Sequence, residues 1–475
     1  MPKPSKSDNP LSALPSVDAV LGSGLVQVYI EKLSPEFVTY CARESLAELR
    51  SQIQNQKRKS SSTGRDELLK NAVRNTVDKI ETLLSTSLRR AVNGTGVILH
   101  TGLGRAPLPP EALDQITRAV ENYCNLELDL QSGKRGERLS HIDELLCFLS
   151  GAERSAVVNN NAAAVLIALN TLAREKEVII SRGQLIEIGG SFRLPDVMKQ
   201  SGAIMREIGT TNKTHFRDYE RAVNENTGAI LVAHSSNFRI LGFTQEAPLE
   251  ELVKLAHSKN IPLIYDLGGG VFLDLVRFGL PHEPIVPEVV RTGVDVVTFS
   301  GDKVLGGPQS GLIVGRKTYV DAIRRNPLMR ALRTDKLILA ALEAILKMYL
   351  NPQPALLKIP VFRMLLEPIA DQKSRGEKLL GMVKEHPSSK IRLRLEEGTS
   401  QIGSGALPLV EIPSTVLAIE SEAYSAERIA QCLRAGDIPV VGYVRDGKNF
   451  LNLRTIRDDE LEIVAEKIKA LCTGS

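Results

Sequence analysis

Lys303 stands in the segment Ser300–Gly311, SGDKVLGGPQSG, directly after the apolar run DVVTF. Such a run reads as a short buried strand, so the lysine sits where the chain leaves the core. Burial disfavours an ammonium and makes the neutral amine available, and a neutral lysine amine can form a Schiff base with a carbonyl compound. The glycines on either side would admit a planar ligand. A surface lysine in a glycine-rich turn would look the same in isolation. Other residues must therefore supply what a carbonyl cofactor needs.

Pyridoxal phosphate is the commonest partner of such a lysine, and it requires a phosphate cup, a partner for its pyridinium nitrogen and contacts to its ring. Each has a candidate. NNNAAAVLIAL puts Asn159, Asn160 and Asn161 between a strand and a helix, where free backbone N–H groups point at an anion. Asp266 ends the apolar strand IPLIYDLGGG, and a carboxylate there could pair with the ring nitrogen or merely cap the turn before Gly268. Ser300 could donate to the cofactor phosphate. His234, closing AILVAH, could touch the ring or its O3′ group, or be an ordinary core histidine. Asp302, beside the lysine, is a candidate for proton transfer or for orienting the site. The order phosphate loop, His strand, Asp strand, Lys strand is that of fold-type I pyridoxal-phosphate enzymes.

The elements that must position these residues follow from periodicity. From Ala91 onward, short β-branched runs (SAVVNN, KEVIISRG, GAIMREIG, TGAILVAHSS, IPLIYDLGGG, VDVVTFSGDK) alternate with helical stripes such as LEELVKLAHSKN. Strand–helix alternation predicts an α/β domain with a largely parallel sheet, whose ligands gather at the carboxyl ends of its strands. A long helix is expected over Thr334–Leu350, with Thr334 as a possible N-cap, followed by a smaller α/β domain to Ser475. Ahead of the core, Pro35–Gln56 carries a helical stripe of Val38, Ala42, Leu46, Leu49 and Ile53. Gln56–Arg65, QKRKSSSTGR, reads as a linker, and Asp66–Arg90 as a second helical stretch. The expected division is 1–65, a helical N-terminal domain; 66–90, a helical linker; 91–333, the cofactor-binding core; and 334–475, the connecting helix and small domain.

Composition narrows the field. No apolar run is long enough to span a bilayer, and MPKPSKSDNP lacks the apolar stretch of a secretory leader, so a cytoplasmic protein is expected. The five cysteines form no CxxC pair and the seven histidines no HxxxH cluster, so neither a disulfide framework nor a bound metal is expected. The formal charge of +4 resides in residues 1–90, which carry 14 Lys and Arg against 10 Asp and Glu. A polyanion partner would therefore be sought there. Arg43, Arg50 and Lys57 share one helix face, either a solvated face or a phosphate-contacting one.

RAVNGTGVILHTGLGRAPL (Arg90–Leu108), SRGQLIEIGGSFRLPDVM (Ser181–Met198), GTTNKTH (Gly209–His215) and TFSGDKVLGGPQSGLIVGRK (Thr298–Lys317) together resemble the bacterial L-seryl-tRNA(Sec) selenium transferases, the selenocysteine synthases. The resemblance runs from about Leu14 into the C-terminal domain. It implies a fold-type I pyridoxal-phosphate enzyme with Lys303 as the Schiff-base lysine, an N-terminal domain that recognises tRNA, and a ring-shaped homodecamer. It also carries over Arg105, Arg330 and Arg333 as the residues that bind selenophosphate. The implied reaction is a β-replacement: seryl-tRNA(Sec) is dehydrated to aminoacrylyl-tRNA, and selenium from selenophosphate is then added. Gly94, Gly102 and Glu137 depart from the residues usual in that family.

Two other readings compete: a related lyase acting on a small amino acid or amino sugar, and a catalytically dead RNA-binding scaffold. Arg454, in FLNLRTI, discriminates. A guanidinium facing the cofactor unpaired would clamp a free α-carboxylate and favour the small substrate, whereas one tied to a protein carboxylate leaves the tRNA ester. The basic N-terminal face yields a prediction of its own. Replacing Arg43, Arg50 and Lys57 by Ala should weaken tRNA binding. The log–log salt slope should flatten by about 0.7–0.9 for each phosphate that is no longer neutralised. Filter binding at several salt concentrations checks this, and an unchanged slope returns those residues to a solvated face.

Overall fold

The computed structural model describes residues 10–55, 64–188, 192–235, 237–238, 240–384 and 391–473, and the chain divides into two compact units, Met1–Arg90 and Ala91–Ser475. In the first unit, helix α1 (Pro35–Asn55) packs against α2 (Arg65–Leu84). The expected stripe faces inward: Val38, Ala42, Leu46 and Leu49 are buried with Ala72, Val73 and Ile80 of α2. Lys79 of α2 donates to Glu48 of α1 at 2.9 Å, and Tyr29 donates to Glu81 at 2.7 Å. The stretch read as a linker helix thus contributes to the N-terminal core. Arg43 and Arg50 are exposed on α1, and Lys57 lies outside the described residues.

The second unit is built on a seven-stranded sheet of β1 (Arg154–Val158), β2 (Glu177–Ser181), β3 (Ile204–Ile208), β4 (Thr227–Ala233), β5 (Leu263–Gly268), β6 (Val296–Ser300) and β7 (Gly311–Gly315). The order across the sheet is β1-β7-β6-β5-β4-β2-β3. All neighbours are parallel except β7, which runs antiparallel to both β1 and β6. Strands β4 to β7 are buried along their whole length, as expected where helices cover both faces. The strand–helix alternation foretold the six parallel strands. GLIVG, the antiparallel seventh, was hidden inside the lysine motif.

That seventh strand fixes the site. Gly311 lies opposite Ser300 on one side and Val158 on the other, so it joins the end of the lysine strand to the start of the asparagine loop. A Cβ at Gly311 would stand 2.0 Å from the Asn160 carbonyl oxygen, which is why the position holds glycine. The turn between β6 and β7 is closed by Gly301 N–H donating to Ser310 O at 2.9 Å and Gly307 N–H donating to Gly301 O at 2.8 Å. Lys303 is held on that closed turn.

Beyond the sheet, α3 (Asn161–Leu172) follows β1, α4 (Lys317–Arg325) follows β7, and α5 (Lys336–Tyr349) is the expected long helix. Its N-cap is Asp335, whose side chain accepts from Ile338 N–H at 3.0 Å; Thr334, the expected cap, is buried one residue earlier. The C-terminal part packs helices Ile369–Lys384 and Leu461–Thr473 on a four-stranded sheet, β8 (Ile391–Gly403), β9 (Ala406–Ser421), β10 (Tyr443–Arg445) and β11 (Lys448–Asn452). Residues just after Ala91 belong to this part as well. Val92 and Asn93 pair with Val440 and Val441, and Val92 is in its hydrophobic core.

Replacing Gly311 with Ala should shift the Asn160 carbonyl or push β7 away from it. The expected cost is about 1–3 kcal/mol, the range for overpacking a close-packed interior. Thermal unfolding followed by circular dichroism measures it, and a wild-type midpoint would refute the close approach.

Candidate active site

Four strand ends converge. Asp266 of β5 is the register partner of Ala233 of β4 and of Thr298 of β6. His234 N–H donates to the Asp266 carbonyl at 2.9 Å, and Asn161, the first residue of α3, donates from Nδ2 to Asp266 Oδ1 at 2.8 Å. Thr298 Oγ1 donates to the same oxygen at 3.0 Å. Lys303 and Asp266 are each only 5% exposed, and each one's charge acts on the other.

Burial dominates both groups. It raises the Asp266 carboxyl above its ordinary value, against the donors from Asn161 and Thr298 and the charge on Lys303. It lowers Lys303, where the attraction of Asp266 and Asp302 opposes it and Arg105 adds to it. The amine is thus biased toward its neutral, nucleophilic form, and the carboxylate calls for a cationic partner.

Arg105 joins this group by a 2.7 Å ion pair from Nη1 to Asp302 Oδ2, with Asp302 buried. Its backbone is left-handed at φ 64°, directly after Gly104 at φ 89°, so the turn after His100 is what turns the guanidinium inward. Asp302 therefore orients Arg105 while its charge acts on Lys303.

The asparagine loop divides its labour. Asn160 is the N-cap of α3, accepting from Ala163 N–H at 2.8 Å, which leaves the first N–H groups of a twelve-residue helix facing the strand ends. The Asn161 side chain reaches Asp266, a contact that its place in the loop did not foretell. Ser300 is buried at the end of β6, one strand from that loop. His234 has Nδ1 3.9 Å from Glu283 Oε2.

Arg330 and Arg333 lie on a different element from Arg105. Arg330 lies in the short helix Leu328–Leu332, and Arg333 follows it in extended conformation, both ahead of α5 and both exposed. They line a cleft of about 500 Å³ that does not include Arg105. Gly94 is likewise remote: a Cβ there would meet the Leu451 side chain at 2.9 Å, beside the C-terminal sheet. Glu137 is in the arginine cleft, bonded to Arg324. Sequence reasoning passed over Thr298 and Glu283. Thr298 was within reach, being two residues before Ser300 on the same strand, but its pairing with Asp266 depends on the register between β5 and β6.

A family model described as L-seryl-tRNA selenium transferase matches residues 91–457, and one described as selenocysteine synthase N terminal matches residues 11–50. The chain belongs to the L-seryl-tRNA selenium transferase family. It is 45% identical over 464 residues to the L-seryl-tRNA(Sec) selenium transferase of Geobacter sulfurreducens, covering 97% of this chain and 99% of that protein. The enzymes of the same name from Carboxydothermus hydrogenoformans and Caldanaerobacter subterraneus are each 46% identical, over 95% and 97% of this chain and 96% and 98% of theirs. Among solved structures, a D-glucosaminate-6-phosphate ammonia-lyase superposes with a TM-score of 0.56 at 20% identity, covering 83% of this chain and 98% of that one; this likeness concerns the fold. The transferase family match begins at residue 91, where the second compact unit begins.

The residues present fit pyridoxal phosphate. The Asn161 Oδ1 atom is buried and has no hydrogen-bond partner among the described residues, and Asp266 is a buried carboxylate whose nearby cation, Lys303, is biased toward neutrality. Thr298→Val keeps the shape and removes one donor to Asp266. It should raise the dissociation constant for pyridoxal phosphate by about tenfold, the worth of one buried hydrogen bond to a charged group. Absorbance titration of the apoprotein measures it, and unchanged affinity would detach Thr298 from the site.

Proposed function

We propose that this chain converts seryl-tRNA(Sec) to selenocysteinyl-tRNA(Sec) with pyridoxal phosphate held by Lys303, Asp266, His234, Ser300, Asn160 and Asn161. The observation that carries the proposal is the buried, neutral-leaning amine of Lys303 opposite the buried carboxylate of Asp266. Bound pyridoxal phosphate supplies an electron sink for the charge left when the Cα–H bond of the seryl group breaks. Asp266 keeps the ring nitrogen protonated, with Asn161 and Thr298 fixing its carboxylate. Lys303 takes the proton from Cα and returns it once selenium has replaced the hydroxyl on Cβ. Asp302 acts by aiming Arg105.

Selenophosphate is the proposed donor, bound by Arg105, Arg330 and Arg333. Planar guanidiniums suit a tetrahedral oxyanion because each offers paired donors. Since Arg105 is absent from the cleft that Arg330 and Arg333 line, the proposed homo-oligomer, a decamer, is the setting in which the three would meet. Residues 1–65 are proposed to recognise the tRNA, and a substrate made for translation puts the enzyme in the cytoplasm.

Arg454 favours an ester over a free amino acid. It is buried and is tied to main-chain oxygens instead of a carboxylate, with Nε left unbonded among the described residues. Its Nη1 donates to the carbonyls of Met364, Leu365 and Glu367 at 2.8, 3.3 and 3.0 Å, and its Nη2 to that of Pro413 at 2.7 Å. A guanidinium whose two Nη groups are held by four main-chain oxygens lacks the paired Nη donors for a bidentate α-carboxylate clamp, and an aminoacyl-tRNA has no such carboxylate to offer. This weighs against the small-molecule lyase.

Incubation with seryl-tRNA(Sec) and selenium-labelled selenophosphate tests the proposal. Label should become attached to the tRNA with the wild type and fall at least about a thousandfold with Lys303→Ala, as for loss of a group that both binds covalently and moves a proton. Turnover of free serine with no labelling of tRNA would favour the lyase instead.

A further inference from the structure

The cleft that contains Arg330 and Arg333 is far more basic than one small anion requires. Seven arginines line it against three carboxylates, Glu127, Glu137 and Asp321. Its floor is internally neutralised. Arg138 is bound to Glu127, Arg324 to Glu137 and Asp143, and Arg154 to Asp143 at 2.5 Å and Asp321 at 2.9 Å. The rim differs. Arg325 and Arg330 are exposed and have no ion-pair partner among the described residues, and Arg333 is 3.7 Å from a Glu127 that Arg135 and Arg138 already share. Like charges crowded into about 500 Å³ repel one another, so the arrangement is poised for anions.

The position of the rim indicates which anions. Asn159 N–H donates to Leu332 O at 2.9 Å, and Arg333 bridges to Val158, so the arginine segment is laid along the strand end that leads into the asparagine loop. In the proposed reaction the seryl ester is on the terminal ribose of the RNA. The phosphates next to that ribose must therefore pass close beside the cofactor loop. Arg330 and Arg333, with Arg105, are assigned to the donor oxyanion, which leaves Arg325 with no assigned ligand and Arg135 with only the carboxylate of Glu127.

We infer that Arg325 and Arg135 extend this cleft into a seat for the phosphodiester backbone at the aminoacylated 3′ end of the RNA. Single-stranded ends are held by cations along the backbone with little regard to sequence, which suits an end common to all tRNAs. The internal pairs keep the floor rigid, so Arg325 and Arg330 are presented without first leaving a carboxylate, while Arg135 and Arg333 share Glu127 with Arg138. This inference rests on the proposed tRNA substrate, and its test does not need turnover.

The probe is a fluorescein-labelled, unacylated acceptor-stem minihelix ending in CCA, which lacks the rest of the tRNA. Its binding to the full-length holoenzyme is followed by anisotropy at several salt concentrations. Arg325→Ala should weaken binding about tenfold and flatten the log–log salt slope by about 0.7, with Arg325→Ala/Arg135→Ala weaker and flatter again. Arg325→Lys should keep the slope. Inorganic phosphate, added as competitor, separates the two sources of anion. If the variants bind the minihelix like the wild type, or lose only the competition by inorganic phosphate, the cleft serves free phosphate and the inference fails. Loss of minihelix binding in an enzyme whose wild type never labels tRNA would instead sink the proposed function while leaving the phosphodiester seat standing.

Discussion

Two opposite charges are withdrawn from water at the centre of this protein, and neither has the other as a close, fully compensating partner. Burial lowers Lys303 and raises Asp266. Removing such groups from solvent is costly unless hydrogen bonds or a counter-charge replace the water, and here Asn161 and Thr298 do so on one side only. The protein's own groups therefore leave both buried groups short of the stabilisation that water would give them. A cationic heterocycle with a carbonyl group answers both deficits at once, so the burial that costs stability also favours the cofactor.

The antiparallel strand Gly311–Gly315 holds this arrangement in place. It is the one strand between β1 and β6, and through it the asparagine loop keeps a fixed distance from the lysine turn. The close approach at Gly311 and the tight turn from Gly301 to Ser310 both exist because glycine lets backbone meet backbone. Rigidity at the strand ends is what lets one carboxylate oxygen accept from two different elements.

The arginines sort by what they touch. Arg454 is consumed by main-chain carbonyls, Arg154 and Arg324 by buried carboxylates, and Arg105 is aimed by Asp302. Arg325 and Arg330 are left over at a cleft rim. A guanidinium stays charged at any physiological pH, so its role is set by whether a protein oxygen already occupies it. Motif reading treats all of these residues alike.

The amino-acid sequence alone determined the element types and named candidates for the site. Hydrophobic period separates strand from helix locally, and Asp266, His234, Ser300 and Lys303 each stand at the end of an apolar run, so the convergence of those ends follows from a parallel sheet. Long motifs carried the family. Tertiary structure decided the rest, because it depends on partners distant in the chain. The Asn161 side chain met Asp266 across 105 residues, and Thr298 came to Asp266 through the β5–β6 register. The stretch 66–90 became part of a core as well as a link, since a helix's destination depends on the face that receives it. Arg330 and Arg333 came from the resemblance, but the cleft they share with five other arginines depended on residues far apart in the chain, for spacing along a chain says nothing of distance between surfaces.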